Sequence, residues 1–184
     1  TQLVTVEDNE KPRITAPAAI TVSTDTGVCE ASGVMLGTPE TADNCSVAEV
    51  SNDAPDVFPV GETLVTWTVE DASGNTETAT QLVTVEDNEK PTITAPAAIT
   101  VSTDAGVCEA SEVALGTPEI GDNCEVADIS NDAPAVFQIG ETLVTWTVED
   151  ASGNTETATQ LVTVEDNEAP EIAAPEDITV NLNP

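Results

Sequence analysis

Hydrophobic and polar positions alternate most regularly over residues 61–89, a segment that recurs without change at residues 140–168. In residues 63–69 the two valines and the tryptophan fall on one face, and the leucine and two threonines fall on the other. Residues 76–85 alternate again, after an Asp-Ala-Ser-Gly-Asn segment at 71–75 that suits a tight turn. Period-two alternation of β-branched and aromatic residues predicts two antiparallel strands joined as a hairpin.

Shorter stretches of the same kind precede this hairpin. A first strand over residues 12–22 is predicted to be interrupted at Pro17, because proline lacks the backbone donor that a sheet requires. Residues 28–36 and 47–50 are predicted as a second and a third strand, and Phe58 as a side chain buried beneath a loop. About six short strands with frequent turns and no helical periodicity predict an all-β fold, a β-sandwich.

The same pattern returns at a spacing of 79 residues, because Thr1, Thr80 and Thr159 each begin the string TQLVTVEDNE. A fixed period of this kind predicts tandem copies of one folding unit in a longer repeat protein. The predicted divisions are residues 1–9 as the last strand of a preceding repeat, 10–88 and 89–167 as two complete repeats, and 168–184 as the first strand of a following repeat or as a donated end strand.

Four cysteines are spaced alike in the two repeats, as Cys29 and Cys45 and as Cys108 and Cys124. An even number at a repeated spacing predicts disulfides in a compartment outside the cytosol, and we expect each bond to lie within its repeat. Buried free thiols are the alternative. Zinc is not expected, because two cysteines without any histidine cannot complete a tetrahedral site.

The expected pairing conflicts with a continuous second strand. A strand over residues 28–36 would place Cys29 and Cys45 at opposite ends of the sandwich, whereas a disulfide needs Cα atoms within about 7 Å. The pairing therefore requires a shorter second strand, or a chain that doubles back over residues 37–45.

The chain carries a net charge of −32, from 35 acidic and 3 basic residues. Such a charge disfavours nucleic acid and anionic membranes as partners, and no segment is apolar enough to insert into a membrane. Two carboxylates ~4 Å apart repel by about 4 kcal/mol at an effective dielectric constant of 20. Grouped carboxylates must therefore bind cations or stay apart in water.

The acidic linker that follows each hairpin is the strongest candidate for a ligand site. Calcium takes six to eight oxygen ligands, whereas magnesium prefers to keep its waters, so we predict calcium. In a sandwich of this kind the hairpin turn lies at the end where the chain enters, so its Asp and Asn should approach the preceding linker. The predicted ligands are Glu7, Asp8, Asn9, Glu10, Asp71 and Asn75 for the first linker, Glu86, Asp87, Asn88, Glu89, Asp122, Asp150 and Asn154 for the second, and Glu165 and Asp166 for the third.

Two alternatives stay open for these residues. The linkers could be solvated acidic segments that bind no metal. Asp43-Asn44 and Asp122-Asn123 could supply ligands, or could simply close Asx turns. Catalysis is not expected, because the chain has no histidine and its two lysines lie in the linkers.

The order of motifs in each repeat resembles that of the hyalin repeat family. The motifs AP-x-x-I-T-V, T-D-x-G-V-C, D-N-C, G-E-T-x-V-T-W-T-V-E-D-A-S-G-N-T and V-T-V-E-D follow one another in both repeats. The resemblance implies immunoglobulin-like extracellular modules in tandem, with adhesive or structural roles. The linkers also look like the acidic inter-domain linkers of cadherins, in which calcium stiffens the connection.

We therefore expect part of an extracellular cell-surface or secreted protein, a stalk, adhesin shaft or fibre built from calcium-stiffened repeats. Its expected partners are the adjacent repeats of the same chain and, in a fibre, further copies. The alternative is a cell-adhesion module that recognises a glycan or a protein. The end strands should pair with a neighbouring repeat or with another copy, because an isolated strand leaves its backbone groups unpaired.

Overall fold

The computed structural model describes residues 1–181, and these residues form strands, turns and loops. In chain order the strands of the first repeat are β1 (Arg13–Thr15), β2 (Ile20–Ser23), β3 (Glu30–Ser32), β4 (Glu40–Ala42), β5 (Val47–Asn52), β6 (Val57–Pro59), β7 (Gly61–Asp71) and β8 (Thr76–Glu86). Those of the second are β9 (Thr92–Thr94), β10 (Ile99–Ser102), β11 (Glu109–Ser111), β12 (Glu119–Gly121), β13 (Val126–Asn131), β14 (Val136–Gln138), β15 (Gly140–Asp150) and β16 (Thr155–Glu165). Across residues 1–181, no helix is long and apolar enough to cross a membrane.

Both repeats have the same sheet topology, which confirms the prediction of tandem β-sandwiches. The first repeat contains a four-stranded sheet in the order β2-β8-β7-β5 and two-stranded sheets β1-β4 and β3-β6. The second contains the corresponding sheets β10-β16-β15-β13, β12-β9 and β11-β14. In the first repeat β7 and β8 are antiparallel, whereas β2 runs parallel to β8.

The long hairpin supplies most of the core. Its predicted facing is confirmed, because Val65, Trp67 and Val83 are buried and pack with Phe58 from β6. The break in the first strand is also confirmed, since Pro17 separates β1 from β2. Burying one face of a twisted hairpin against the short strands is how this small unit removes apolar area from water.

A polar side chain, Gln81, lies in the middle of this core at 1% exposure. Its Oε1 accepts a hydrogen bond from the Trp67 indole at 3.1 Å. Its Nε2 donates to the backbone carbonyls of Ala18 and Leu36, at 2.9 and 3.0 Å. These bonds compensate its desolvation and tie the hairpin to the chain around the Pro17 break.

The predicted second strand over residues 28–36 is wrong, because only β3 forms there. Gly27 and Gly33 flank β3 with φ values of 76° and 60°, in the left-handed region that ends a strand. The Asp25 carboxylate accepts hydrogen bonds from the backbone N–H and the hydroxyl of Ser32, at 2.9 and 2.6 Å. Residues 25–29 therefore form a loop that Asp25 closes against the short strand β3, and no long strand forms.

The chain divides into two compact units that do not coincide with the two repeats. One unit comprises residues 1–93, 120–129 and 147–156, and the other comprises residues 94–119, 130–146 and 157–184. The predicted boundaries at residues 10, 89 and 168 stay predictions.

Neither predicted end strand is formed in the described part of the chain. Residues 1–12 and 166–181 contain no strand, and Leu3 and Val6 are almost fully exposed. Residues 182–184 of the predicted C-terminal strand lie outside the described residues. Pairing of these segments with another repeat or another copy stays a prediction.

Candidate functional site

The structure twice brings three aspartates together so that a carboxylate oxygen from each lies within 4.8 Å of the others. Each group combines one linker residue, one residue that follows a short strand, and one residue at the end of a hairpin strand. We name Asp8, Asp43 and Asp71 the first cluster, and Asp87, Asp122 and Asp150 the second cluster. All six belong to the compact unit that contains residues 1–93.

The hairpin aspartates are held in place by their own turn. Asp150 is 1% exposed, and its Oδ1 accepts the backbone N–H groups of Ser152 and Asn154 at 2.9 and 2.8 Å. Its Oδ2 accepts the Asn154 side-chain amide at 2.8 Å. Asp71 has the same bonds in its own turn.

These hydrogen bonds keep both carboxylates charged. For Asp71, the bond from the Asn75 side chain is the main cause of a lowered pKa. For Asp150, burial raises the pKa, but the bonds from Asn154, Ser152 and Gly153 together outweigh it and leave the pKa lowered. Each cluster therefore keeps the negative charge of its hairpin aspartate at neutral pH.

The turn asparagines connect each turn to a linker. The Asn154 side-chain amide donates to the backbone carbonyl of Asp87 at 3.1 Å, and that of Asn75 donates to the backbone carbonyl of Asp8 at 3.2 Å. The structure thus places the hairpin turns beside the preceding linkers. The amide nitrogens of the two asparagines are the donors in these contacts, and the role of these residues as ligands stays a prediction.

The aspartates that follow β4 and β12 each use one carboxylate oxygen in a turn and leave the other unpaired. Asp43 Oδ2 accepts the backbone N–H groups of Cys45 and Ser46, both at 2.8 Å, and Asp122 Oδ2 accepts that of Cys124 at 2.9 Å. The other oxygen of each is buried and has no hydrogen-bond partner. One oxygen closes an Asx turn while the other is free to bind a cation, so the two interpretations of these residues are compatible.

The linker aspartate of the second cluster likewise has one hydrogen-bonded and one unpartnered carboxylate oxygen. Asp87 is 5% exposed, and its Oδ1 accepts the Glu89 backbone N–H at 3.1 Å and the Asn123 amide at 3.2 Å. Its Oδ2 is buried without a partner. Burying an unpaired charged oxygen beside two further carboxylates is unfavourable unless a cation lies among them.

All of the unpartnered buried side-chain atoms found over residues 1–181 are oxygens at these two places. They are Asp8 Oδ2 and Asp43 Oδ1 in the first cluster, and Asp87 Oδ2, Asp122 Oδ1 and Asn123 Oδ1 at the second. A site that offers only carboxylate and amide oxygens suits a hard cation and does not suit zinc. The residues present therefore fit calcium.

Two of the other predicted ligands make hydrogen bonds that hold their linker against the preceding loop. Asn88 donates to the Ser23 hydroxyl at 3.1 Å, and the Glu89 carboxylate accepts the Gly27 backbone N–H at 2.9 Å. The remaining predicted ligands that fall outside the clusters are Glu7, Asn9, Glu10, Glu86, Glu165 and Asp166. Asp166 is exposed, and within residues 1–181 no cluster forms around the third linker.

A simple signal in the sequence identifies the inward-facing linker residue. Val83, Val85 and Asp87 occupy alternate positions, so Asp87 continues the buried face of β8 by one step. Val4, Val6 and Asp8 have the same spacing ahead of the first repeat. Period-two alternation extended past the end of the strand therefore singles out one aspartate in each linker.

The predicted disulfides within the repeats are wrong. The structure joins Cys29 to Cys124, with an S–S distance of 2.08 Å and a Cα–Cα distance of 4.7 Å. Cys45 and Cys108 are exposed free thiols. The bond crosses from one repeat to the next and lies within the same compact unit as the two clusters.

The physical reason is that Cys29 and Cys45 are near different linkers. The loop before Cys29 is hydrogen-bonded to the second linker, because the Gly27 backbone N–H donates to the Glu89 carboxylate. The residue before Cys45, Asn44, donates to Asp8 in the first linker at 3.3 Å. These linkers begin and end the repeat, so a Cys29–Cys45 bond would have to span the length of the sandwich.

Comparison with known proteins gives one family. The HYR domain matches residues 7–85 and 86–164. Hyalin from Lytechinus variegatus is 32% identical over 95% of this chain and 36% of its own length. Hyalin from Strongylocentrotus purpuratus is 32% identical over 85% of this chain and 14% of its own length. The chain thus spans a minor part of each of these relatives.

Solved structures of cadherin repeats are also similar. The gamma B7 protocadherin EC3-6 structure covers 87% of this chain and 52% of that one, with 14% identity and a TM-score of 0.43. The human mucin-like protocadherin EC1-2 structure covers 84% of this chain and 98% of that one, with 12% identity and a TM-score of 0.42.

Proposed function

Because the chain belongs to the HYR domain family, whose members are adhesion-type extracellular modules, we propose that it is a structural segment of a calcium-stiffened extracellular array. The two family matches together span residues 7–164, so almost all of the chain consists of such modules. In this proposal the segment spaces and orients other parts of a stalk, adhesin shaft or fibre.

The observation that carries the proposal is the set of unpartnered buried oxygens. Each cluster combines a linker aspartate with aspartates from two loops, and leaves oxygens unpaired at the point where the three meet. Without a cation, mutual repulsion would push these loops away from the linker. With a cation, the same charges would hold the loops and the linker together.

Calcium fits this arrangement better than magnesium does. In the first cluster Asp8 and Asp43 would bind the ion with their free oxygens, and in the second Asp87, Asp122 and Asn123 would do so. Asp71 in the first cluster and Asp150 in the second would each add one further negative charge beside the ion. Bound calcium would neutralise the carboxylates and link the segments that carry them, which is how a flexible acidic linker becomes stiff.

Neighbouring repeats are the proposed partners of the segment. Cys108 occupies the position of Cys29 one repeat later, and Cys45 occupies the position of Cys124 one repeat earlier. Each free thiol would therefore meet the matching cysteine of a further repeat of this kind. The relatives are much longer than this chain, which is consistent with more repeats in the whole protein.

Removing calcium should destabilise and loosen the chain. At a free calcium concentration about 100 times the Kd, each site adds about 2.7 kcal/mol to stability. We therefore expect a chelator to lower the Tm by several degrees and to broaden the distance distribution in small-angle scattering. Scans with excess magnesium in place of calcium are the control for ionic strength.

Two results would contradict the proposal. One is a Tm and a scattering profile that do not change between chelator and millimolar calcium. The other is an equal response to magnesium and to calcium, which would indicate general screening of a net charge of −32 and not a built site.

A further inference from the structure

We propose that the Cys29–Cys124 disulfide is a positioning element for the second cluster, and that its formation raises the calcium affinity of this cluster. The inference rests on the proposed function, because it presumes that the clusters bind calcium. It adds that the oxidation state of one cysteine pair sets how tightly this site binds calcium.

The candidate ligand loop of the second cluster lies directly beside the disulfide. Residues 122–124 of this loop read Asp-Asn-Cys, and Asn123 and Cys124 are half-buried.

Asn123 has a buried side-chain oxygen without a partner. Its Nδ2 donates to Asp87 Oδ1 and to the backbone carbonyl of Val28, at 3.2 and 3.3 Å. Its Oδ1 is buried and has no hydrogen-bond partner. Because the two N–H groups of the amide are used in these bonds, the oxygen is the atom that this side chain offers to the cluster as an additional ligand.

The disulfide fixes this geometry through the residues on either side of it. Cys124 follows Asn123 directly, and its backbone N–H is held by Asp122 Oδ2 at 2.9 Å. Cys29 follows Val28, whose carbonyl accepts the Asn123 amide. The bond therefore ties the ligand loop at residues 122–124 to the loop that ends at Cys29.

A ligand loop that is already ordered loses less conformational entropy on binding, so calcium affinity should rise. We expect formation of the disulfide to lower the calcium Kd of the second cluster at least tenfold. The two equilibria are thermodynamically linked. The factor by which the disulfide tightens calcium binding is therefore also the factor by which calcium favours formation of the disulfide.

The linked reaction is thiol–disulfide exchange with a small disulfide. Oxidised glutathione takes two electrons and two protons from the Cys29 and Cys124 thiols, one S–S bond forms in the protein, and two glutathione thiols are released. Calcium should raise the equilibrium constant of this reaction at least tenfold.

The test compares calcium titrations of three forms of the full chain by isothermal calorimetry. They are the unmodified chain, the C29S/C124S variant, and the matched C45S/C108S control, which alters only the free thiols. We expect the unmodified chain and the control to give the same calcium Kd values. In C29S/C124S the Kd of one site should rise at least tenfold.

The outcomes separate this inference from the proposed function. A C29S/C124S variant with the same calcium Kd values as the control would overturn the role of the disulfide while leaving calcium binding intact. No calcium binding in any form would overturn both. If the C29S/C124S variant fails to fold, the reaction of the unmodified chain with glutathione tests the inference instead. An equilibrium constant of this reaction that is the same with and without calcium would contradict the inference.

Discussion

Replacing Asp87 with asparagine should stabilise the chain in chelator and destabilise it in calcium. The substitution keeps Oδ1 as an acceptor for Glu89 and Asn123, so the local turn survives. It removes one of three neighbouring carboxylate charges. Two such charges ~4 Å apart repel by about 4 kcal/mol at an effective dielectric constant of 20. In chelator, relief of this repulsion should therefore raise the free energy of unfolding.

In saturating calcium the balance reverses, because the variant loses a ligand with a free, buried oxygen. At about 100 times the Kd the unmodified chain gains about 2.7 kcal/mol per site, and the variant should lose most of this for the second cluster. Denaturant unfolding in chelator and in calcium measures both effects.

Asp166→Asn is the matched control for this sign reversal. Asp166 has the same position in the third linker, but it is exposed and belongs to neither cluster. It should change stability by less than about 0.5 kcal/mol in both conditions. If Asp87→Asn is destabilised equally with and without calcium, Asp87 stabilises the fold without binding the ion, and the prediction is contradicted.

Loss of the Cys29–Cys124 bond should be the largest stability effect of any cysteine substitution in the chain. The bonded residues are 95 positions apart, and in the chain-entropy model a loop of about 100 residues is worth about 4.7 kcal/mol. Cys29→Ser in a C45S/C108S background should therefore lower the free energy of unfolding by about 4 kcal/mol. Using that background prevents exchange with the two exposed thiols.

Peptide mapping of the unreduced chain provides the direct check of this pairing. It should recover a cross-linked peptide that contains Cys29 and Cys124, and free thiols at Cys45 and Cys108. Recovery of Cys29 bonded to Cys45 would contradict the structure. So would a Cys29→Ser variant as stable as its C45S/C108S parent.

The elements that were predictable from the sequence are those that depend on local alternation. Val65, Trp67 and Val69 recur every second residue, and burial on one face follows directly from the geometry of a strand. The same rule identifies position 81 as buried. It cannot show that a glutamine is tolerated there, because its partners at Trp67, Ala18 and Leu36 are distant in sequence.

The disulfide was not predictable for a related reason. A repeat of 79 residues offers Cys29 two equivalent partners, Cys45 in its own repeat and Cys124 in the next. Spacing alone does not distinguish them. The choice depends on which linker lies beside each loop, and hydrogen bonds such as Gly27 to Glu89 determine that only in the folded chain.

The candidate site was predictable in part. The approach of the hairpin turns to the linkers followed from topology, but the sequence offered every acidic or amide residue of each linker as a ligand. Only the aspartate that continues the buried face of the preceding strand points inward, as Asp87 does after Val83 and Val85. Neighbouring acids such as Glu89 instead hold loops in place.

A crystal structure of the chain grown with calcium, recorded at a long wavelength where calcium scatters anomalously, is the most direct test of the cation sites. We predict anomalous peaks about 2.3–2.6 Å from Asp87 Oδ2 and Asp122 Oδ1, and at the same distance from Asp8 Oδ2 and Asp43 Oδ1. Maps at millimolar calcium that show no anomalous peak at either cluster, with these oxygens bound to water or turned apart, would contradict the account.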